Sequence, residues 1–289
     1  MKSATARLET SPMRPGDGLG PKAAGAMAAI WRRIALFQRV LLPLAVAVVF
    51  ILIWEYGTKL AKVSPLLFAP PSAVWKSLEL SFPILVQQSL PTLKETLLGF
   101  ALASLLGVTL GTALVLSKRV RQALYPHILL FQLIPKVALA PLFIVWLGIG
   151  PTSRLSFAVF MAFFPVVIAT MTGLLSADRN IVRLCTSLTA TPWQTFMSVR
   201  VPYAMPHLFA GLKIAVTMAI IGVIVGEFVT AQEGLGYIIM FASSADDTAL
   251  VFAAIGMLCA VGLTLYGAVA LVEMLIQRRL GVTITSSEF

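Results

Sequence analysis

Residues 178–206 read Asp178-Arg-Asn-Ile-Val-Arg-Leu-Cys-Thr-Ser-Leu-Thr-Ala-Thr-Pro192-Trp-Gln-Thr-Phe-Met-Ser-Val-Arg-Val-Pro202-Tyr-Ala-Met-Pro206, a mixed stretch between two long apolar ones. Ile181, Leu184, Cys185 and Leu188, then Phe196 and Val199, recur at three- and four-residue intervals, the spacing of one helical face. This predicts two short helices, about 179–189 and 192–200. Thr191 would cap the second, with Pro192 at its first position and Trp193 and Phe196 projecting from it. Loops between packed elements are usually short. An ordered insert of this length is therefore expected to be gripped by something in the water phase.

The rest of the chain says which phase lies on either side. Hydrophobic residues make up 58% of it and charged ones only 12%, with a mean hydropathy of +0.92, far beyond a soluble globular domain. Apolar runs long enough to cross a hydrocarbon core recur, without the strict alternation of barrel strands, so they are helices. The expected fold is an all-α membrane protein with about six spans, at 37–56, 93–117, 124–148, 152–176, 207–229 and 249–276. The two-helix loop falls between the fourth and fifth. Pro126, Pro135 and Pro141 predict that the third span is kinked or broken.

Residues 1–36 read as a disordered basic tail ending in an interfacial stretch around Trp31, Arg32 and Arg33. Residues 37–64 hold the first span and the start of an outer loop. Pro65, Pro70, Pro71, Pro83 and Pro91 suggest that 57–92 is a loop with a short amphipathic helix at about 72–82. Residues 277–289 are a second tail. Lys and Arg gather in the N-terminal tail, at Lys118, Arg119 and Arg121, at Arg179, Arg183 and Arg200, and at Arg278 and Arg279. The 230–248 loop has none and carries Glu233, Asp246 and Asp247. Lys59, Lys62 and Lys76 run against the trend, but the balance places both termini and the 178–206 loop in the cytoplasm.

The net charge of +10 is thus a matter of topology and not of nucleic-acid binding. Cys185 and Cys259 lie in unrelated segments and are expected to be free thiols. No cluster has metal-ligand spacing, and His127 and His207 are isolated. No nucleotide-binding phosphate loop occurs, so the chain is not expected to hydrolyse nucleotide itself. Gly99, Ala103, Gly107 and Gly111 form a small-residue stripe on one span, and Gly222 and Gly226 repeat it on another. These are expected to pack within the chain. Lys136 and Glu227 are the ionisable residues placed deepest, and each is a candidate to line a pathway. A mutual ion pair, or snorkelling of Lys136 to the interface, is the plainer alternative.

With these residues in view, the chain resembles the permease subunits of bacterial ABC importers, in particular the nitrate, sulfonate and taurine group. The 178–206 loop is similar to that family's coupling motif of Glu-Ala-Ala, three residues, Gly, nine residues and Ile-x-Leu-Pro. Counting back from Pro202, Val201 and Val199 take the Leu and Ile places, Thr189 the Gly place and Arg183-Leu184-Cys185 the Glu-Ala-Ala places. Tyr203–Lys213, Gln132–Gly150, Gly226-Glu227-Phe228 and Gly234-Leu-Gly-Tyr237 also resemble the group, so the likeness covers roughly 65–276. Arg183 replaces the acid and Thr189 the glycine. A β-branched residue resists positive φ, so a slightly different bend there, or pairing with an altered ATPase groove, is expected.

The resemblance implies a permease in the bacterial inner membrane, in contact with lipid and without cofactors of its own. ATP and magnesium would sit on separate cytoplasmic ATPase subunits. A second permease copy would complete the pathway, and an extracytoplasmic binding protein would deliver a small solute, an anion such as a sulfonate or nitrate. Arg183, Leu188, Thr189, Ala190, Thr191, Pro192, Trp193 and Gln194 would form the ATPase-coupling surface. The competing reading is a stand-alone secondary transporter driven by an ion gradient. It calls for inverted repeats and several buried carboxylates, of which only Glu227 is evident.

Overall fold

The computed structural model describes residues 21–280 except Pro65 and Ala231, with side chains placed from Leu41 to Arg279. The expected tails at 1–20 and 281–289 lie outside the described residues. Every regular element among the described residues is helical, which makes the fold all-α. Two units divide the chain after Lys62. In the first, α1 spans Pro21–Leu60, so residues 21–36 belong to a helix and not to a tail. Its stretch Leu41–Leu60 is long and apolar enough to cross a membrane and carries a Glu55–Lys59 ion pair of 2.5 Å.

The second unit opens with α2, Pro71–Leu116. This corrects the expected loop at 57–92, because Pro83 and Pro91 both sit inside one unbroken helix. Each proline removes one N–H donor, and an apolar surrounding offers the freed carbonyl no competing water, so the helix continues. Ser117 alone separates α2 from α3, Lys118–Leu133, and caps it by accepting from the Val120 amide at 3.3 Å. The third span is broken as its prolines predict. A single 3-10 turn, Lys136–Leu139, joins α3 to α4, Ala140–Leu147, across a bend of 92°. Next come α5, Pro151–Leu175, and α6, Arg179–Ser187. Then α7, Pro192–Thr195, runs through a π-helical turn at Phe196–Arg200 into α8, Val201–Thr230. The chain closes with α9, Leu235–Ser244, and α10, Thr248–Leu280. Among the described residues, five helices are long and apolar enough to cross a membrane, or six if the bent α3–α4 pair counts as one.

The core is α5 packed against α2 and α8. A Cβ built on Gly99, Gly107 or Gly111 would meet Ala158 at 2.9 Å, Val166 at 2.7 Å or Thr170 at 2.7 Å. The α2–α5 offset is 59 residues at each step, so the two helices run parallel in fixed register. Gly222 on α8 faces Ala158 from the other side and Gly173 faces Ala204, which makes α8 antiparallel to α5. The stripes therefore let backbones of this chain approach one another, as expected.

Candidate functional site

At one end of this core the chain leaves α5 for the 178–206 segment. Asp178 caps α6 through the Asn180 amide at 2.7 Å. The helix ends in a Schellman motif: the Ala190 N–H donates to the Cys185 carbonyl at 3.0 Å and the Thr189 N–H to that of Thr186 at 3.1 Å. This geometry demands a left-handed residue, and Thr189 adopts φ +59°. The expectation that threonine would refuse that bend is therefore corrected. Two backbone bonds, with the Thr189 hydroxyl on the Leu188 carbonyl at 2.7 Å, outweigh the strain.

The second helix begins as its sequence predicts. Thr191 Oγ1 accepts from the Gln194 amide at 3.2 Å, and Gln194 Oε1 accepts from the Thr191 amide at 2.8 Å, a full capping box with Pro192 in the first turn. It does not stop near 200. Pro202 has no N–H for the Ser198 carbonyl, and the π-turn, in which Val201 N–H bonds Phe196 O, carries the helix past it. The result is a continuous helical segment from Pro192 to Thr230.

Phe196 does not project as expected. It is buried against Leu174 and Ala204 and ties the segment to α5 and α8, while Trp193 stacks on it at 5.8 Å. Outward lie Leu184, Leu188, Trp193 and Met197, an apolar patch on a polar loop. Of the predicted coupling residues, Arg183, Leu188, Thr189, Thr191, Pro192, Trp193 and Gln194 are exposed around this patch and Ala190 is half-buried.

Lys136 and Glu227 are not brought together. Lys136 stands at the break between α3 and α4 with its Nζ 4.8 Å above the Phe164 ring, and among the described residues it has no carboxylate partner. It lines a cleft of ≈ 420 Å³ with Gln132, Thr172, His207 and Ile214. Along α8 the exposed residues Tyr203, His207, Ala210, Ile214 and Thr217 follow one face, more polar than lipid contact favours. Lys213 flanks that face and pairs with Glu273 of α10 at 2.5 Å.

Glu227 lies at the far end of the core, 2% exposed. Its Oε1 accepts from the Thr92 hydroxyl at 2.6 Å and its Oε2 from the Gly236 amide at 2.7 Å. Beside it is a feature the sequence reading missed: Arg154, 3% exposed, bonded through Nε and Nη2 to Glu95 at 2.9 and 2.5 Å. Such a fork is the strong form of a buried ion pair. Glu233 approaches the same guanidinium at 3.6 Å. The signal was available, because Arg154 is the sole charge in the apolar run Pro151–Leu175.

Comparison with known proteins agrees with this architecture. The chain is 34% identical over 228 residues, 79% of its length, to a probable ABC transporter permease protein of Haemophilus influenzae, 93% of which is covered. It is 35% identical over 252 residues to the riboflavin transport system permease protein RibX of Chloroflexus aurantiacus, covering 86% of this chain and 93% of that one. The taurine transport system permease protein TauC of Escherichia coli is 30% identical over 240 residues, 81% of this chain and 87% of TauC. In three dimensions, a chain of the inward-facing MetNI methionine ABC transporter aligns with a TM-score of 0.60 at 19% identity, covering 68% of this chain and 98% of that chain. That match speaks for the fold. Residues 103–279 match the model of one family, and the chain belongs to it: the binding-protein-dependent transport system inner membrane components.

Proposed function

We propose that the chain is the permease subunit of an ATP-driven importer that forms half of a solute pathway. Two cytoplasmic ATPase subunits dock on its 178–206 loops and hold the ATP and magnesium. A second copy of the chain supplies the other half of the pathway, an extracytoplasmic binding protein delivers the solute, and both termini lie in the cytoplasm. The observation that carries this reading is the unbroken helix from the exposed Trp193 surface to Thr230. At 1.5 Å per residue its 39 residues span roughly 58 Å, so a push at one end reaches the other without a joint.

The exposed face of α8 and the Lys136 cleft are the proposed pathway wall. Riboflavin and taurine, named in the relatives, are chemically unlike, so the choice of a small anion rests on Lys136. Its ammonium has an aromatic face beneath it and, among the described residues, no carboxylate beside it, and it can take an anionic group as counter-ion. Trp193→Ala is expected to insert normally and to lose solute-stimulated ATP hydrolysis in the purified complex. Full stimulation in that variant would sink the coupling assignment. Uptake driven by a proton gradient and insensitive to vanadate would instead favour a secondary transporter.

A further inference from the structure

The far end of the core holds a constellation that the pathway reading leaves unused. Three successive amides open α9, and each goes to a side chain of another helix. Gly234 N–H donates to Gln88 Oε1 at 2.7 Å, Leu235 N–H to Thr92 Oγ1 at 3.0 Å and Gly236 N–H to Glu227 Oε2 at 2.7 Å. Thr92 in turn donates to Glu227. A helix leaves its first amides without internal partners, and here two residues of α2 and one of α8 meet three of them, with a carboxylate at the positive end of the dipole. The fit is close. Gly234 has φ +104°, and a Cβ on Gly236 would lie 2.7 Å from that of Glu227.

We propose that α9 is the outer gate of the pathway and that Glu227, with Gln88 and Thr92, is the latch that holds it shut. This rests on the importer reading above. Glu227 sits on α8, the helix that the ATPases would drive, whereas Gln88 and Thr92 sit on α2. Any stroke that parts the outer ends of α8 and α2 must stretch the Thr92–Glu227 bond and release the α9 amides. A second tie has the same character. Glu233, next to Gly234 and 54% exposed, reaches Arg154 at 3.6 Å, a contact that water can replace. Arg154 remains held by Glu95 when it breaks. One turn further in from Thr92, Thr96 Oγ1 is buried without a partner among the described residues, a hydroxyl for which a displaced α8 can supply an acceptor. At its other end α9 turns into α10 through Asp246 at φ +55°, and its inner face stays on α10 through Ile238, Ile239, Ala253 and Ala254. The helix can therefore swing with α10 while its first turn lets go. Glu227 is on this account a positioning residue, reached by solute only when the latch opens.

The test uses the full transporter in vesicles, with Cys185 and Cys259 replaced by serine and alanine and one reporter, Leu235→Cys, in the first turn of α9, where the side chain is fully buried against Leu85 of α2. A membrane-impermeant maleimide is applied from outside. The reporter is expected to be protected in the nucleotide-free complex and to label at least tenfold faster in the ATP–vanadate-trapped one. Glu227→Ala should label fast in both states. If that variant does not assemble, Thr92→Val, nearly isosteric, should give the same result. Equal protection in the resting and trapped wild-type complexes makes α9 a fixed cap and overturns the latch, as does a Thr92→Val variant that labels no faster at rest. Failure of the underlying reading is distinct, since no ATPase would then purify with the chain.

Discussion

At the end of the α2–α5–α8 core away from the 178–206 loop, Arg154 and Glu227 are 3% and 2% exposed, and each is held by hydrogen bonds within its own chain. At the 178–206 end, Trp193 and Leu188 are 64% and 69% exposed on a loop whose two helices are both capped. These charged groups are thus satisfied internally where water is absent, and apolar groups are left uncovered where it is present. Each arrangement is the costly one for its surroundings. The first is stabilised only by complete pairing, and the second calls for a partner.

The contrast can be broken or sharpened by substitution. Arg154→Ala strands Glu95 and should cost roughly 3–5 kcal/mol of stability, read from detergent unfolding of the purified complex. A loss below about 1 kcal/mol would mean that the pair is solvated and the two ends are alike. Thr191→Ala removes one half of the capping box and should cost about 1 kcal/mol, seen as faster hydrogen exchange at the Gln194 amide. Thr189→Gly relieves the left-handed strain and should act in the opposite direction by roughly 1 kcal/mol, with slower exchange at Ala190. Trp193→Ala should leave stability within about 0.5 kcal/mol, since the ring is mostly in water, while abolishing solute-stimulated hydrolysis. A large loss of stability there would make the loop part of the core.

Much of this was legible in the residues. The broken third span followed from Pro126, Pro135 and Pro141, and the capping of α7 from Thr191-Pro192. What misled was chemistry read with the habits of water. Pro83 and Pro91 looked like loop residues, yet in an apolar setting a helix keeps its remaining bonds because nothing competes for them. α9 has only 10 residues, too few for a span, so its apolar run passed as loop. Arg154 and Glu95 fell at the assumed ends of spans, where charges are ordinary. Their partnership crosses 59 residues and becomes visible only once the glycine stripes fix the register of α2 on α5. Thr189 was misjudged because its side chain, and not the backbone bonds around it, was taken to decide the turn.

The π-turn at Phe196–Arg200 carries a consequence for how such a subunit can change over evolutionary time. One residue more or fewer turns everything downstream by about 100° about the helix axis. Gly211 and Gly222 hold α8 in register against α5, so removing a residue there would leave Tyr203, His207, Ile214 and Thr217 on their present face and rotate Trp193 instead. The turn thus acts as a phase adjuster: lineages could retune which side chains stand out at the loop end without redesigning the packed face of α8.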